Sequence, residues 1–279
     1  MNDVTIGVLH PGEMGSAVGG ALRAAGRRVV WASAGRGDTT RARAAQDGLE
    51  DVGDLARLAR EAATIVSVCP PHAALDLARA VAAHGYRGAF VDANAVSPAT
   101  AREIGGLVEA AGATFVDGGI IGPPPRRAGA ARLYLSGAAA ARVAALFAGS
   151  LLEPVLVTGG PGAASAVKMA YAAWNKGSGA LLMAVRALAV HEGVEGDLLA
   201  EWARSQPALA ARSEDTVRDT ARKAWRFVGE MEQIAATFAE AGLPPGFHDA
   251  AAEVYRRLAG WKDTPTPPSV REVAKALAP

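Results

Sequence analysis

Short apolar runs alternate with helix-like segments along the first half of the chain. The apolar runs are rich in β-branched and aliphatic residues and lie at Val4–Leu9, Arg28–Ser33, Thr64–Cys69, Ala89–Asp92, Thr114–Asp117, Arg132–Ser136 and Pro154–Val157. The segments between them have helical spacing, near residues 15–25, 40–47, 52–61, 73–83 and 98–111. Strands that alternate with helices predict a mostly parallel sheet with right-handed crossovers. We therefore predict an α/β fold for this part of the chain.

The pattern changes at the glycine-rich segment Thr158–Gly162, beyond which we find no convincing strand. Ala163–His191 is predicted to be one long helix, although Gly177 and Gly179 interrupt its helix-forming residues. Further helices are predicted near Gly196–Ser205, Ala208–Ala224, Phe227–Ala241 and Gly246–Gly260, with a short last helix after the proline-rich Thr264–Pro268. The sequence thus predicts two domains, an α/β domain at 1–158 and an all-helical domain at 159–279.

Composition argues against several classes of function. Lys and Arg (29) balance Asp and Glu (28), so no basic field points to nucleic acid. Cys69 is the only cysteine, and the five histidines show no metal-ligand spacing, so we expect neither an intramolecular disulfide nor a structural metal. The longest Ala/Leu-rich stretch, Gly179–Val190, is too short for a membrane span and contains Arg186. We expect a cytoplasmic protein without nucleic-acid or membrane partners.

The turn after the first predicted strand is the first candidate site. It reads His10, Pro11, Gly12, Glu13, Met14, Gly15. Dinucleotide-binding turns have GxGxxG spacing, and here His10 stands at the first glycine position, before Gly12 and Gly15. Gly12 would let the backbone approach a pyrophosphate at the helix N-terminus, and Gly15 would let the helix pack closely on the strand. The segment predicts a dinucleotide site in a Rossmann-type, doubly wound sheet; an ordinary tight turn is the alternative.

At this turn the chain resembles a known family. GVLHPGEMG, residues 7–15, is similar to the GxxGxGxMG opening of the 3-hydroxyisobutyrate and 6-phosphogluconate dehydrogenase superfamily, in which Met-Gly is typical. The resemblance covers nearly the whole chain. HPGEMG, KMAYAAWNKG and GLPPGFHDAAAEVYRRL are most similar to an NADP-dependent oxidoreductase branch. The resemblance implies a Rossmann-type domain followed by an all-α C-terminal domain, with Glu13 and Met14 among the cofactor-binding residues.

The end of the second predicted strand bears on the choice of dinucleotide. NAD-specific enzymes place an acid there to bind the ribose 2′-hydroxyl, whereas this chain has Ser33, followed by Arg36. A hydroxyl and a guanidinium suit a 2′-phosphate. Arg41 and Arg43 are explained equally well as a solvated helix start. We predict NADP(H) in preference to NAD(H). Other cofactor-binding candidates lie after the next strands, at Cys69, Pro70 and Asn94.

The long predicted helix contains the candidate catalytic residue. GGPGAASAVKMAYAAWNKG, residues 159–177, is similar to the superfamily's GxGxxxKxxNN motif. The resemblance implies that Lys168 is the general acid/base at the substrate oxygen, where an ammonium can protonate a developing alkoxide. A surface lysine is the alternative, and Lys176 is a second candidate. Tyr171 and Ala172 replace the family's paired asparagines, and Asn175 is predicted to supply the missing amide from the same helix face.

Two further segments resemble the superfamily's substrate and cofactor loops. FVDANAVSPATARE, residues 90–103, is similar to its DSSTxSP loop, which implies a contact of Asn94 near the nicotinamide. FVDGGIIGPPPRR, residues 115–127, is similar to its DAPVSGG substrate loop, so that Ile121 replaces a substrate-binding serine and Gly122 is retained. Arg126 and Arg127 would either anchor a substrate carboxylate or be solvated.

These features predict an NADP-dependent oxidoreductase that transfers a hydride between the nicotinamide and a carbonyl or hydroxyl carbon. Ile121 and Tyr171 make the predicted substrate pocket less polar than one for a small hydroxy acid, so a 3-hydroxyacid-like or bulkier substrate is expected. An imine reductase on the same scaffold and a non-catalytic NADP-binding protein are the alternatives. The resemblance implies a homodimer through the helical domain. Glu230, Glu232 and His248 would reach the partner's site or lie on solvated helix faces.

Overall fold

The computed structural model describes residues 4–262 and 264–278, and the chain divides into two compact units, Met1–Met169 and Ala170–Pro279. The strands are β1 Thr5–Val8, β2 Arg28–Trp31, β3 Glu50–Asp51, β4 Thr64–Ser67, β5 Ala89–Asp92, β6 Thr114–Ile121, β7 Ala131–Ser136 and β8 Leu152–Leu156. The helices are α1 Glu13–Ala24, α2 Asp38–Gln46, α3 Leu55–Glu61, α4 Ala74–Ala83, α5 Pro98–Ala110, α6 Ala140–Leu146, α7 Ala163–His191, α8 Glu195–Ser205, α9 Leu209–Thr220, α10 Ala224–Glu240, α11 Gly246–Arg257 and α12 Val270–Leu277.

The first unit is built on one eight-stranded sheet with the order β3-β2-β1-β4-β5-β6-β7-β8. All neighbouring pairs are parallel except β6 and β7, which are antiparallel. The strands that follow β1 in sequence are added first on one side of it, as β2 and β3, and then on the other, from β4 onwards. The carboxyl edge between β1 and β4 is therefore a topological switch point. The predicted doubly wound, mostly parallel sheet is confirmed.

Apolar side chains cover both faces of this sheet. One buried cluster includes Val18 and Leu22 of α1 and Phe147 after α6. The other includes Leu58 of α3, Val81 of α4 and Ile104 of α5. Each fully buried side chain of this size contributes about 1.5–3 kcal/mol, so the two helical layers hold the sheet rigid and fix the loops at its carboxyl edge.

Two strands differ from the prediction. Thr114–Asp117 was expected to be short, but β6 continues to Ile121 because it pairs with β7, from Asp117 opposite Ser136 to Ile121 opposite Arg132. The two-residue strand β3, Glu50–Asp51, was not predicted, because both residues are charged and exposed and only their pairing with Val30 and Trp31 defines the strand.

The second unit is all-helical in its described residues, as predicted. Helix α7 continues without interruption through Gly177 and Gly179. The two units divide inside α7, after Met169, and not at the glycine-rich segment 158–162. The reason is that the first turns of α7 pack on β6: a Cβ placed on Gly119 would lie 3.0 Å from the Ala164 carbonyl oxygen and 2.9 Å from the Lys168 Cβ. No helix in the described ranges is both long enough and apolar enough to cross a bilayer.

Candidate functional site

The turn between β1 and α1 is compact, and a close backbone contact requires glycine at position 15. The Gly12 N–H donates to the His10 carbonyl at 2.8 Å, and α1 begins at Glu13 with Gly12 as its N-cap. A Cβ on Gly15 would lie 2.1 Å from the His10 carbonyl oxygen, and a Cβ on Gly12 would lie 3.1 Å from the His10 ring. Because Gly12 has no side chain, no side chain of the N-cap residue occupies the N–H groups of the first turn of α1. These N–H groups lie at the carboxyl edge of the sheet and form a potential anion site.

The other residues of the turn differ in their environments. Pro11 is buried, Met14 packs partly buried against the core, and Glu13 is exposed. Burial and the nearby Arg36 guanidinium lower the pKa of His10, which keeps its ring neutral at neutral pH. A neutral imidazole retains one N–H donor and one acceptor nitrogen. The predicted cofactor-binding roles of these residues remain predictions.

The loop after β2 is fastened by Arg41. Its guanidinium donates to the Ser33 carbonyl at 3.0 Å and to the Arg36 carbonyl at 3.1 Å, so Arg41 is a brace and not simply a solvated side chain. Arg36 makes one long contact, 3.4 Å to the Leu9 carbonyl, which leaves most of its donors unused among the described residues. The Arg36 guanidinium therefore lies close to the residue that follows β1, where it is available to bind an anion.

Sequence reasoning missed Asp51, which lies beside Ser33. The Ser33 hydroxyl donates to the Asp51 carboxylate, and the Gly53 N–H donates to the same group at 2.8 Å. Burial raises the pKa of Asp51, but the hydrogen bonds from Ser33 and Gly53 outweigh it and lower the pKa overall. No signal in the sequence around Ser33 could have revealed this carboxylate, because it comes from the unpredicted strand β3.

Asn94 joins the ends of β4 and β5. Its amide oxygen accepts from the Cys69 N–H at 2.6 Å, and its amide nitrogen donates to the Ser67 hydroxyl at 3.0 Å and to the Asp92 carboxyl. Both N–H donors of Asn94 are therefore in use, and only one lone pair of its oxygen remains for a ligand. Burial, followed by the Asp92 charge, raises the pKa of Cys69 to about 12, so its thiol stays neutral. Pro70 is exposed at the end of β4.

Asp117, the last residue of the predicted short strand, anchors the start of α7. Its buried carboxylate accepts from the Ser136 hydroxyl at 2.9 Å, the Gly162 N–H at 3.0 Å, and the Ser165 N–H and hydroxyl at 3.0 and 2.5 Å. Residues 117–121 belong to β6, Ile121 is buried, and the loop begins at Gly122, which has a φ of 123°. The anchor fixes the first turns of α7 relative to the strand.

Lys168 lies one turn beyond Ser165, at the end of the first unit. Its ammonium donates to the Ile120 carbonyl oxygen at 2.8 Å. The side chain is half-buried, and Gly119 allows the close approach because any side chain there would collide with the Lys168 Cβ. Lys168 therefore lies at the carboxyl edge of the sheet, on the same side as the His10–Gly15 turn, Cys69 and Asn94.

Arg126 has a protein partner. Its guanidinium is bidentate to the Asp47 carboxylate at the end of α2, with one N–O distance of 2.9 Å, and Asp47 also accepts from the Ser16 hydroxyl. Burial raises the pKa of Asp47, but the hydrogen bonds from Arg126 and Ser16 lower it overall. Arg126 thus ties the loop after β6 to α1 and α2, and its role as an anchor for a substrate carboxylate stays a prediction. Arg127 is exposed.

Several candidates lie in the second unit. Tyr171 and Asn175 are exposed on α7, where the Asn175 amide donates to the Tyr171 hydroxyl at 3.0 Å. Lys176, the second lysine candidate, is paired with Glu230, and its ammonium lies 4.4 Å from the centre of the Phe227 ring. Glu232 pairs with Arg256, and His248 is buried against Phe238. Glu230 and Glu232 thus have ion-pair partners within their own unit, whereas His248 has an aromatic neighbour there and a buried Nδ1 without a hydrogen-bond partner among the described residues.

Comparison with known proteins identifies the family. The model of the NAD binding domain of 6-phosphogluconate dehydrogenase matches residues 5–148, just over half of the chain. The chain belongs to the β-hydroxyacid dehydrogenase superfamily. This membership places it among oxidoreductases that use a nicotinamide cofactor. A second model, a domain of unknown function (DUF1932), matches residues 189–258. No curated protein matches the chain significantly.

Solved structures share the β-hydroxyacid dehydrogenase fold over nearly their whole length. A conserved hypothetical protein from Sinorhizobium meliloti 1021 has 26% identity and a TM-score of 0.71, covering 99% of this chain and 96% of its own. Mycobacterium tuberculosis 3-hydroxyisobutyrate dehydrogenase with L-serine has 19% identity and a TM-score of 0.73, covering 99% of both chains. The Aspergillus terreus reductive aminase with NADPH, cyclohexanone and allyl amine has 18% identity and a TM-score of 0.58, covering 98% and 99%. At such identities the last two show the fold alone.

Proposed function

We propose that the protein is an NADP-dependent oxidoreductase that interconverts a carbonyl and a hydroxyl group on a substrate resembling a 3-hydroxyacid or a bulkier, less polar compound. The observation that carries this proposal is the position of Lys168. Its ammonium is held at the carboxyl edge of the sheet by the Ile120 carbonyl, 2.8 Å away, on a helix that Asp117 anchors to β6. The dinucleotide turn ends at the same edge, which brings a proton donor to the cofactor side of the fold.

Each part of the site has a defined task in this proposal. The bound dinucleotide supplies the hydride. The uncapped first turn of α1 would hold the pyrophosphate, and a side chain at Gly15 would collide with the His10 carbonyl oxygen of the turn. Lys168 would donate a proton to the oxygen during reduction and accept it during oxidation.

The preference for NADP rests on Arg36, because the Ser33 hydroxyl already donates its one proton to Asp51. Arg36 has unused donors for a 2′-phosphate, and Arg41 holds the loop that carries it. The Asp51 carboxylate lies beside Ser33, and its negative charge would repel the 2′-phosphate. A charge-assisted bond from Arg36 outweighs this opposition in our proposal, because Asp51 already accepts hydrogen bonds from the Ser33 hydroxyl and from the Ser33 and Gly53 N–H groups.

Arg36→Ala should weaken NADPH binding at least about tenfold, since a charge-assisted hydrogen bond contributes roughly 1.5–3 kcal/mol. NADH affinity should change little, because NADH lacks the 2′-phosphate. Quenching of tryptophan fluorescence during titration with either nucleotide measures both constants. Arg60→Ala, which removes an exposed arginine on α3, is the matched control. Equal loss of NADPH and NADH affinity would refute the assignment of Arg36, and absence of binding by either nucleotide would refute the proposed function.

The character of the substrate follows from Ile121, Tyr171 and Asn175. Ile121 is buried and offers no hydroxyl where a serine was expected, which favours an apolar substrate group. Tyr171 and Asn175 remain the proposed polar contacts, with their side chains already hydrogen-bonded to each other. The same apolar character keeps imine reduction as a second candidate activity. NADPH oxidation with matched ketone and cyclic imine panels separates them, because a lysine acid at the substrate oxygen favours the ketones.

We also propose a homodimer through the helical unit. Leu181 and Leu188 of α7 and Phe247 of α11 are large, exposed apolar side chains, and Phe247 is 71% exposed. Burying such a patch against a second copy would remove it from water.

Phe247→Glu should shift the protein towards the monomer mass in light scattering coupled to size exclusion. The replaced side chain is exposed in the single chain, so the fold should be retained. Leu156→Glu, at an exposed position on β8 in the first unit, is the control and should leave the mass unchanged. A dimer that survives Phe247→Glu at micromolar concentration would place the interface elsewhere.

A further inference from the structure

A row of four polar residues crosses the middle of the sheet. Ser67 of β4, Asp92 of β5, Asp117 of β6 and Ser136 of β7 are direct register partners, strand by strand. Register partners point to the same face of a sheet. All four are completely buried. Two neighbouring carboxyl groups thus lie in the interior, where each must be hydrogen-bonded, paired or kept neutral.

The two carboxyl groups differ in the hydrogen bonds that they accept. Asp117 receives four hydrogen bonds and closes the start of α7. Asp92 receives hydrogen bonds from the side chain and backbone of Asn94, and its Oδ2 has no partner among the described residues. Burial, and secondly the charge of Asp117, raise the pKa of Asp92 to about 7.

Asn94 connects Asp92 to the backbone of the cofactor edge. The amide nitrogen donates to Asp92, which leaves the amide oxygen directed at the Cys69 N–H, 2.6 Å away. The orientation of this amide therefore depends on Asp92 and Ser67. Cys69 and Asn94 each lie two residues beyond the ends of β4 and β5, where the proposed nicotinamide site begins.

We propose that Asp92 is a positioning residue of the cofactor site: as a neutral acid it orients Asn94, which fixes the backbone at Cys69, and its ionisation weakens dinucleotide binding. The inference rests on the proposed function only for the identity of the ligand. An ionised Asp92 would place a second buried negative charge beside Asp117, next to the site for an anionic cofactor.

The groups that face Asp92 do not offset this charge. Asp117 faces it from β6 and the Cys69 thiol from the end of β4, and both are acids. On α5, the Arg102 guanidinium lies against Gly162, the residue that donates to Asp117. Among the described residues, Asp92 makes no ion pair with any basic side chain. Above neutral pH, its negative charge therefore stays unpaired.

The first test measures NADPH affinity against pH. If only the neutral acid binds, the wild-type dissociation constant should rise by up to about eightfold between pH 6.5 and pH 8, as proton linkage at a pKa near 7 requires. Asp92→Asn is uncharged at every pH and should bind NADPH with no such rise. Asp76→Asn, on the exposed face of α4, should follow the wild type. A pH slope that is the same in Asp92→Asn and wild type would overturn the inference.

A second test needs no nucleotide. The amide NMR signal of Cys69 reports its hydrogen bond to Asn94, and in the wild type it should titrate with a midpoint near pH 7. The titration should be absent in Asp92→Asn and should persist in Asp76→Asn. A pH-independent signal in the wild type would overturn the link between Asp92 and Cys69. If this titration is seen but no nucleotide binds, the proposed function and the cofactor role of Asp92 fail, and a structural Asp92–Asn94 link remains.

Discussion

Lys168→Met should lower kcat by about 10²–10⁴-fold with any carbonyl substrate that the wild type reduces, because it removes the proposed general acid. NADPH affinity should stay within about twofold, since the lysine acts on the substrate oxygen and not on the dinucleotide. Methionine keeps the length and apolar packing of the lysine stem, so the contact with β6 should survive. Steady-state kinetics and a fluorescence titration on the same sample measure the two effects.

Two variants control this experiment. Lys168→Arg keeps a positive charge but cannot release a proton near neutral pH, so its kcat should remain low. Lys176→Met removes the other lysine of the helix, which is engaged with Glu230, and should retain most of the activity. A Lys168→Met enzyme with more than a tenth of wild-type turnover would show that the proton comes from another group.

Features that depend on local sequence could be predicted from it. The His10–Gly15 turn follows from two glycines at fixed spacing after a β-branched run, and the structure shows the steric reason at Gly15. The helix Ala163–His191 was predicted with its observed ends. Its glycines did not break it, because the cost of about 1 kcal/mol for each is small beside the packing of a long helix.

Contacts between distant segments could not be predicted. Asp51 meets Ser33 only because β3 pairs with β2, and two exposed charged residues give no strand pattern. Arg126 meets Asp47 across 79 positions of sequence, and nothing near either residue indicates the pair. The row from Ser67 to Ser136 requires the register of four strands. Registers of this kind are set by tertiary packing, which a single sequence does not display.

Asp117→Ala should destabilise the first unit by about 3–5 kcal/mol, the largest stability effect that we expect of a single substitution near the site. The carboxylate accepts four hydrogen bonds, so its loss leaves the buried N–H groups of Gly162 and Ser165 and the Ser165 hydroxyl without their acceptor, whereas the Ser136 hydroxyl can still donate to the Gly160 carbonyl. Urea unfolding followed by far-UV circular dichroism measures the change. Because the same carboxylate anchors the helix that carries Lys168, kcat should fall as well.

Matched variants show whether the anchor acts through its charge. Asp117→Asn keeps one acceptor oxygen and should lose less stability than Asp117→Ala. Ser136→Ala removes a hydroxyl whose single proton is within reach of both Asp117 and the Gly160 carbonyl and whose oxygen accepts from the Ala164 N–H, and should cost only about 1–3 kcal/mol. If Asp117→Ala unfolds at nearly the wild-type urea concentration, then the start of α7 is held by its apolar packing on β6, and Lys168 does not depend on this carboxylate for its position.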